Sequence, residues 1–248
     1  MEEKPTRLGD RKPLGVEVFE ILRERIISGE VDLGEWLRQE DIAQQLGVSQ
    51  TPVREALDRL VAAGLAERVP YRGVRVVTLS EEEVADIYAA RLLLETSVAY
   101  GAAHRLSGRH EGDRELAVLR NLVDEIEALT ALEEMSRRRE LNLRFHLYLA
   151  HICGNQVLER LYKMTLHQFP DWIIYEGMSR QEEKFPERLA RESSEHRELF
   201  EAIVAGRTER AAEIAREHVL NLQDELVALL GVSPALLARK ASEIGITD

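Results

Sequence analysis

Residues 39–77 constrain this chain more than any other stretch, because two short helices, a tight turn and a hairpin can all be read within them. Gln39-Glu40-Asp41 opens a helix whose apolar residues are Ile42, Ala43 and Leu46. Gly47 stops it and Val48 turns inward. Ser49 then stands at the N-cap of a second helix, where its hydroxyl can accept one of the free backbone N–H groups. Pro52 falls in that helix's first turn, where a missing N–H has no consequence. Val53, Ala56, Leu57, Leu60 and Val61 recur at helical spacing and predict one buried stripe. The opposite face carries Gln50, Thr51, Arg54 and Asp58. Such side chains can reach base edges and phosphates from a helix lying in a major groove. Gly64 ends the helix, and residues 65–69 and 73–77 read as strands around the turn Pro70-Tyr71-Arg72-Gly73. The pattern predicts a helix-turn-helix followed by a β-hairpin wing. A helix over residues 14–28 precedes it, with Val16, Val18, Phe19, Leu22, Ile26 and Ile27 on its apolar face.

Beyond residue 79 the periodicity is helical throughout. Ser80-Glu81-Glu82-Glu83 is a capping-box start. Helices are expected over residues 81–106, 114–132, 134–152, 156–169, 189–205 and 208–230. Pro170 and Pro186 bracket an apolar-aromatic segment containing Trp172, Ile173, Ile174 and Tyr175, which is read as core or as a pocket lining. Ser233-Pro234 can cap and begin one short helix in the tail. The expected architecture is therefore mainly α, an N-terminal winged helix-turn-helix followed by an all-α antiparallel helical bundle. Its divisions are a flexible arm at 1–12, a DNA-binding domain at 13–78, an all-helical domain at 79–230 placed as sensor to that reader, and a tail at 231–248.

Composition narrows the functional classes. At 44% hydrophobic and 31% charged residues, the chain reads as folded globular protein. No apolar run approaches the ~20 residues a membrane helix requires. The N-terminal MEEKPTRLGDRKP lacks the apolar centre of a signal peptide, and the single Cys153 excludes an internal disulfide, so a cytoplasmic protein is expected. The net charge is -12. Residues 1–78 hold 12 Lys and Arg against 14 Asp and Glu, so the acidity lies mostly beyond them. DNA binding must then rest on a few placed arginines, doubled by dimerisation, and it should be strongly salt-sensitive.

The runs LRQEDIAQQLGVS, SQTPVREALDRLVAAGL and RGVRVV resemble the winged helix of GntR-type bacterial transcription regulators. The runs DIYAARLLLE, NLRFHLYLAHICGN, EHRELFEAI and AREHVLNL resemble the FCD ligand domain of that family's FadR branch. The resemblance implies a homodimer that reads a palindromic operator. Arg54 would meet a guanine or the adjacent phosphates. Gln50 and Thr51 stand where relatives contact bases, Arg38 resembles a backbone- or base-contacting arginine, and Arg72 at the wing tip would approach the minor groove.

Asn142 and His146 are four residues apart and share a helical face, while His196 and His218 stand on two later helices. Three imidazoles converging from separate helices can bind a divalent transition metal such as zinc or nickel. The resemblance implies a metal site at these four positions, with an aspartate most often at the first. Asn142 is a neutral and weaker ligand, so a metal-free polar pocket is the alternative. Arg91 lies in an otherwise apolar stretch and needs an anionic partner. That partner is either the carboxylate of a small organic acid or a structural acid such as Asp86 or Glu95. No nucleophile–histidine signature or phosphate-cradling glycine loop suggests an enzyme. The expected function is a ligand-responsive DNA-binding regulator, a repressor by family habit. The alternative is a metal-ion sensor with no organic effector.

Overall fold

The computed structural model describes residues 13–27, 30–109, 113–169, 174 and 185–245. The arm expected at 1–12 lies outside them, as do Trp172, Ile173 and Tyr175. The chain divides into two compact units, residues 1–78 and 79–248.

In the first unit α1 (Leu14–Ile27), α2 (Gln39–Leu46) and α3 (Gln50–Ala62) precede an antiparallel hairpin of β1 (Ala66–Val69) and β2 (Gly73–Val76). Val18, Leu22 and Ile26 of α1 are buried with Val53, Ala56, Leu57 and Leu60 of α3. Val74 and Val76 continue that core into the hairpin. Gly47 holds φ 66°, a left-handed conformation that lets its N–H bond back to Ala43 and Gln44 and start the turn into α3. Trp36 bridges Arg75, so residues 35–37 run along the open edge of β2. Ser49 has the extended backbone of an N-cap, but its side chain makes no capping hydrogen bond, contrary to expectation. The residue is exposed, so water can serve the free N–H groups there.

The second unit is a helical bundle: α4 (Glu81–Leu106), α5 (Arg114–Ala128), α6 (Met135–Ile152), α7 (Gln156–Gln168), α8 (Phe185–Val204), α9 (Thr208–Leu220), α10 (Gln223–Leu230) and α11 (Pro234–Glu243). The capping box at its start is complete, since Ser80 Oγ accepts from the Glu83 N–H while Glu83 Oε2 accepts from the Ser80 N–H. Helix α4 packs against α6, α7, α8, α9 and α11, so it is the central element. Val98, Ala102, Phe145, Leu149, Tyr162 and Ile203 belong to one continuous core around it.

Three helix limits differ from the sequence reading. Helix α5 ends at Ala128, four residues short of the expected end, and a 3₁₀ turn at Leu132–Glu134 follows. Near its C-terminus the carbonyls of Ile126 and Leu129 accept from the buried Arg138 guanidinium. Helix α8 begins at Phe185, with Pro186 accommodated in its first turn. The long helix expected over residues 208–230 is two helices. At the break the Leu222 N–H bonds Val219, three residues back, and the Asn221 side chain is drawn sideways to Glu195.

Candidate functional site

The helical unit brings together the three histidines singled out from the sequence. His146 comes from α6, His196 from α8 and His218 from α9. Their relative exposures are 1%, 1% and 4%. One ring nitrogen from each lies within 4.8 Å of the others. Asn142 sits one turn before His146 and lines the adjoining cavity. Its Oδ1 is buried and, among the described residues, without a hydrogen-bond partner. The same holds for His146 Nε2 and for both ring nitrogens of His196. Buried polar atoms are rarely left so, and four within one cluster mark a place built for something that supplies the missing bonds.

Carboxylates stand behind the imidazoles. Glu195 Oε2 is 2.6 Å from His218 Nδ1, and Glu195 Oε1 accepts from the Asn221 amide at 2.6 Å. Glu95 of α4, 1% exposed, places Oε1 at 3.2 Å from His146 Nδ1 and 3.9 Å from His218 Nε2. Glu95 entered the sequence reading only as a partner for Arg91, so its place beside the histidines was missed. Burial would raise its carboxyl, but Arg91, His146 and His218 together hold it well below its ordinary value. Burial drives His196 well down and lowers His146 despite Glu95. Burial is the largest influence on His218 and opposes its protonation, yet the hydrogen bond to Glu195 and the charges of Glu95 and Glu195 together outweigh it and raise that group.

Neutral imidazoles with free lone pairs, an amide oxygen and carboxylates behind them fit a divalent zinc- or nickel-like ion. The donor set therefore suits the metal that the family resemblance implies.

Arg91 is also at this pocket. Its Nε donates to Glu95 Oε2 at 2.8 Å, and its guanidinium lies 4.8 Å over the Phe169 ring. Of the acids weighed as structural partners, Glu95 takes the role, while Asp86 pairs with Lys240. A cavity of about 50 Å³ is lined by Arg91, Asn142, His218, Arg188, Arg191 and Glu225, with Ile174 closing part of it. Arg188 Nη1 is buried there without a hydrogen-bond partner among the described residues.

In the first unit Arg38, Gln50, Thr51, Arg54 and Arg72 are all exposed. Arg38 occupies the N-cap position of α2, Gln50 and Thr51 lie in the first turn of α3, and Arg54 follows one turn on. Arg38, Gln50 and Arg72 line one cleft of about 600 Å³ between the helix starts and the wing. Thr51 and Arg54 do not line it and stand on the free face of α3. Asp58, on the same face, is engaged by Arg68 of β1. The sequence reading missed Trp36, which carries the Arg72 guanidinium at 5.8 Å and that of Arg75 at 5.9 Å from its ring centre.

Residues 14–76 match the profile of bacterial regulatory proteins of the gntR family, and residues 86–221 match that of the FCD domain. The HTH-type transcriptional repressor GlaR of Escherichia coli (strain K12) is 30% identical over 204 residues, 80% of this chain and 89% of that protein. The gluconate operon transcriptional repressor of Bacillus subtilis (strain 168) is 40% identical over 94 residues, 38% of each chain. The solved structure of E. coli McbR/YncC has the same fold, with a TM-score of 0.56 at 23% identity over 89% of this chain and 99% of that one.

Proposed function

Because this chain belongs to the GntR family of bacterial regulatory proteins, with an FCD domain behind its winged helix, and is therefore a DNA-binding transcriptional regulator and not an enzyme, we propose that it is a homodimeric repressor of the FadR type that answers to a small organic acid held at a divalent metal. The cluster of three buried imidazoles, two of them with ring nitrogens that find no partner among the described residues, carries this reading. A bound zinc or nickel ion would supply a Lewis-acidic anchor for a carboxylate. Asn142, His146, His196 and His218 would hold the ion. Arg91 at the cavity wall, with Arg188, whose Nη1 finds no partner among the described residues, favours an anionic organic effector over the ion acting alone. That GlaR and the gluconate operon regulator are repressors by name supports the sign of regulation.

Exposed apolar side chains support the dimer. Leu93 and Tyr100 of α4, and Val157, Leu161 and Met164 of α7, are 44–62% exposed. The α7 residues follow helical spacing, and α4 packs against α7. Such a face suits a second copy of the chain. Two winged helices related by a two-fold axis match a palindromic operator, with Gln50, Thr51 and Arg54 toward the major groove, Arg38 toward the backbone and Arg72 toward the minor groove.

The deciding experiment measures metal in protein purified without a metal-affinity tag, wild type beside His196→Ala. About one transition-metal ion per chain, lost in the variant, is expected. No metal in either protein refutes the metal-centred pocket.

A further inference from the structure

The candidate ligands are three imidazoles and one amide, all neutral once they bind a metal, so a divalent ion held by them alone would keep its full charge in a buried place. Removing a charge from water without compensation is costly. The surroundings should therefore contain an anion, and two carboxylates are present. Glu195 has both oxygens engaged, by His218 Nδ1 and by the Asn221 amide. Glu95 differs. Its Oε2 accepts from Arg91 at 2.8 Å, while its Oε1, in a residue only 1% exposed, is turned to the histidines. That oxygen lies 3.2 Å from His146 Nδ1. The other nitrogen of the same ring, Nε2, is buried and without a partner among the described residues.

We infer that Glu95 is the anionic element of the metal centre in this chain: it holds His146 through Nδ1 so that Nε2 faces the ion, and it provides the negative charge that Asn142 does not. The two sides of the His146 ring then have one explanation. A proton on Nδ1 points to Glu95 Oε1 at 3.2 Å, with the Tyr162 hydroxyl 3.4 Å from the same nitrogen, and the lone pair on Nε2 is left for the ion. The same arrangement recurs at His218, where Glu195 takes the Nδ1 side. Glu95 is a positioning residue, since the ring nitrogens that can share one ion come from the three histidines. Arg91 fixes the carboxylate through Oε2 and leaves Oε1 turned to the ring. This inference rests on the metal-centred reading proposed above.

The test is Zn²⁺ titration of the metal-stripped full chain, using wild type, Glu95→Gln, Asn142→Asp and the double variant Glu95→Gln/Asn142→Asp. Glu95→Gln should weaken Zn²⁺ binding roughly 10- to 100-fold, as loss of an outer-shell partner does. Asn142→Asp should tighten binding, and in the Glu95→Gln background it should restore much of the loss by returning the charge. Nitrogen NMR of the loaded proteins should show the His146 Nδ1–H resonance in wild type and its displacement in Glu95→Gln, which a carboxylate without contact to that proton would not produce. If Glu95→Gln leaves Arg91 without its anion and fails to fold, Arg91→Met replaces it as the reference. Arg91→Met should then retain the ion, and Arg91→Met/Glu95→Gln should lose it by the same factor. Wild type that binds Zn²⁺ while the Glu95 variants bind equally well overturns the role of Glu95 and leaves the metal centre standing. Wild type that binds no Zn²⁺ overturns both.

Discussion

Arg138→Met probes how the two ligand-bearing helices keep their register. Arg138 is 0% exposed and lies on the α6 face that carries Asn142 and His146 at successive four-residue steps. It donates to Glu192 Oε2 at 2.7 and 3.0 Å, and Glu192 stands one turn before His196 on α8. The same guanidinium bonds the carbonyls of Ile126, Leu129 and Leu189 at 2.7, 3.0 and 3.2 Å, and Ser193 Oγ at 3.0 Å. One side chain thus closes the C-terminal end of α5 and sets α6 against α8 a turn below the histidines. Breaking a buried pair by removing one partner costs about 3–5 kcal/mol. Glu192 is 17% exposed and can recruit water, which favours the lower end of that range. For a domain of this size, about 3 kcal/mol corresponds to a fall in melting temperature of roughly 6–12 °C. Urea unfolding followed by circular dichroism measures the loss, and Zn²⁺ titration at a temperature where the variant is folded measures the slackened site. Arg138→Met/Glu192→Gln should recover part of the stability, because the carboxylate that faced the guanidinium is then uncharged, while the carbonyls still lack the guanidinium donor. A loss in Arg138→Met below about 0.5 kcal/mol, the usual range of a surface change, would refute the clamp.

The DNA-reading surface predicts that Arg54→Ala weakens operator binding by about 1–3 kcal/mol per half-site, the range of one good base contact. With two half-sites, fluorescence anisotropy on a palindromic fragment should therefore show at least a roughly thirtyfold loss, and no loss would remove Arg54 from the interface. Metal uptake near neutral pH should release at most about one proton per ion, nearly all from His218, because burial already keeps His146 and His196 neutral. Calorimetry in buffers of different ionisation enthalpy counts the protons, and three per ion would contradict the burial argument. The sign for the metal-free protein follows from the same shifts. The unfolded chain takes up protons that buried His146 and His196 refuse, so their contribution is present above the ordinary imidazole value of 6.5 and is lost as pH falls below it. His218 has the opposite sign, its contribution being lost as pH rises through its raised value. Leu161→Glu/Met164→Glu should convert the dimer to monomer in sedimentation and weaken operator binding with it. An unchanged mass would exclude the α4/α7 face.

What could be read beforehand follows from the range of the forces involved. The stripe Val53, Ala56, Leu57 and Leu60 and the stop at Gly47 are local facts of spacing and backbone freedom, and both appear in the structure as expected. The convergence of His146, His196 and His218 was legible because the resemblance supplied the topology that spacing alone lacks. The misread limits have tertiary causes. Helix α5 stops where Arg138, ten residues past its end, takes its carbonyls. The break after Leu220 depends on Glu195, which is 26 residues from its partner Asn221. Glu95 escaped notice for the same reason. Along the chain it is one acid after three leucines, and its chemistry appears only when α6 and α9 bring His146 and His218 beside it.

The pocket is also the right size energetically for a switch. A regulatory coupling of about 1–3 kcal/mol is typical between an effector and a distant ligand. That equals one charge-assisted hydrogen bond, worth about 1.5–3 kcal/mol. The site holds several in series: Arg91 to Glu95, His218 to Glu195, Glu195 to Asn221, and Arg191 to Glu225. The last three span the break between α9 and α10. An anion that takes one donor from this series need displace no core side chain to supply the whole coupling energy. Reciprocity then requires operator DNA to change effector affinity by the same factor. Substitutions that retune the response while keeping the fold should accordingly fall on Glu195 or Asn221, which are polar and partly accessible, and not on Phe145 or Tyr162, whose burial holds the bundle together.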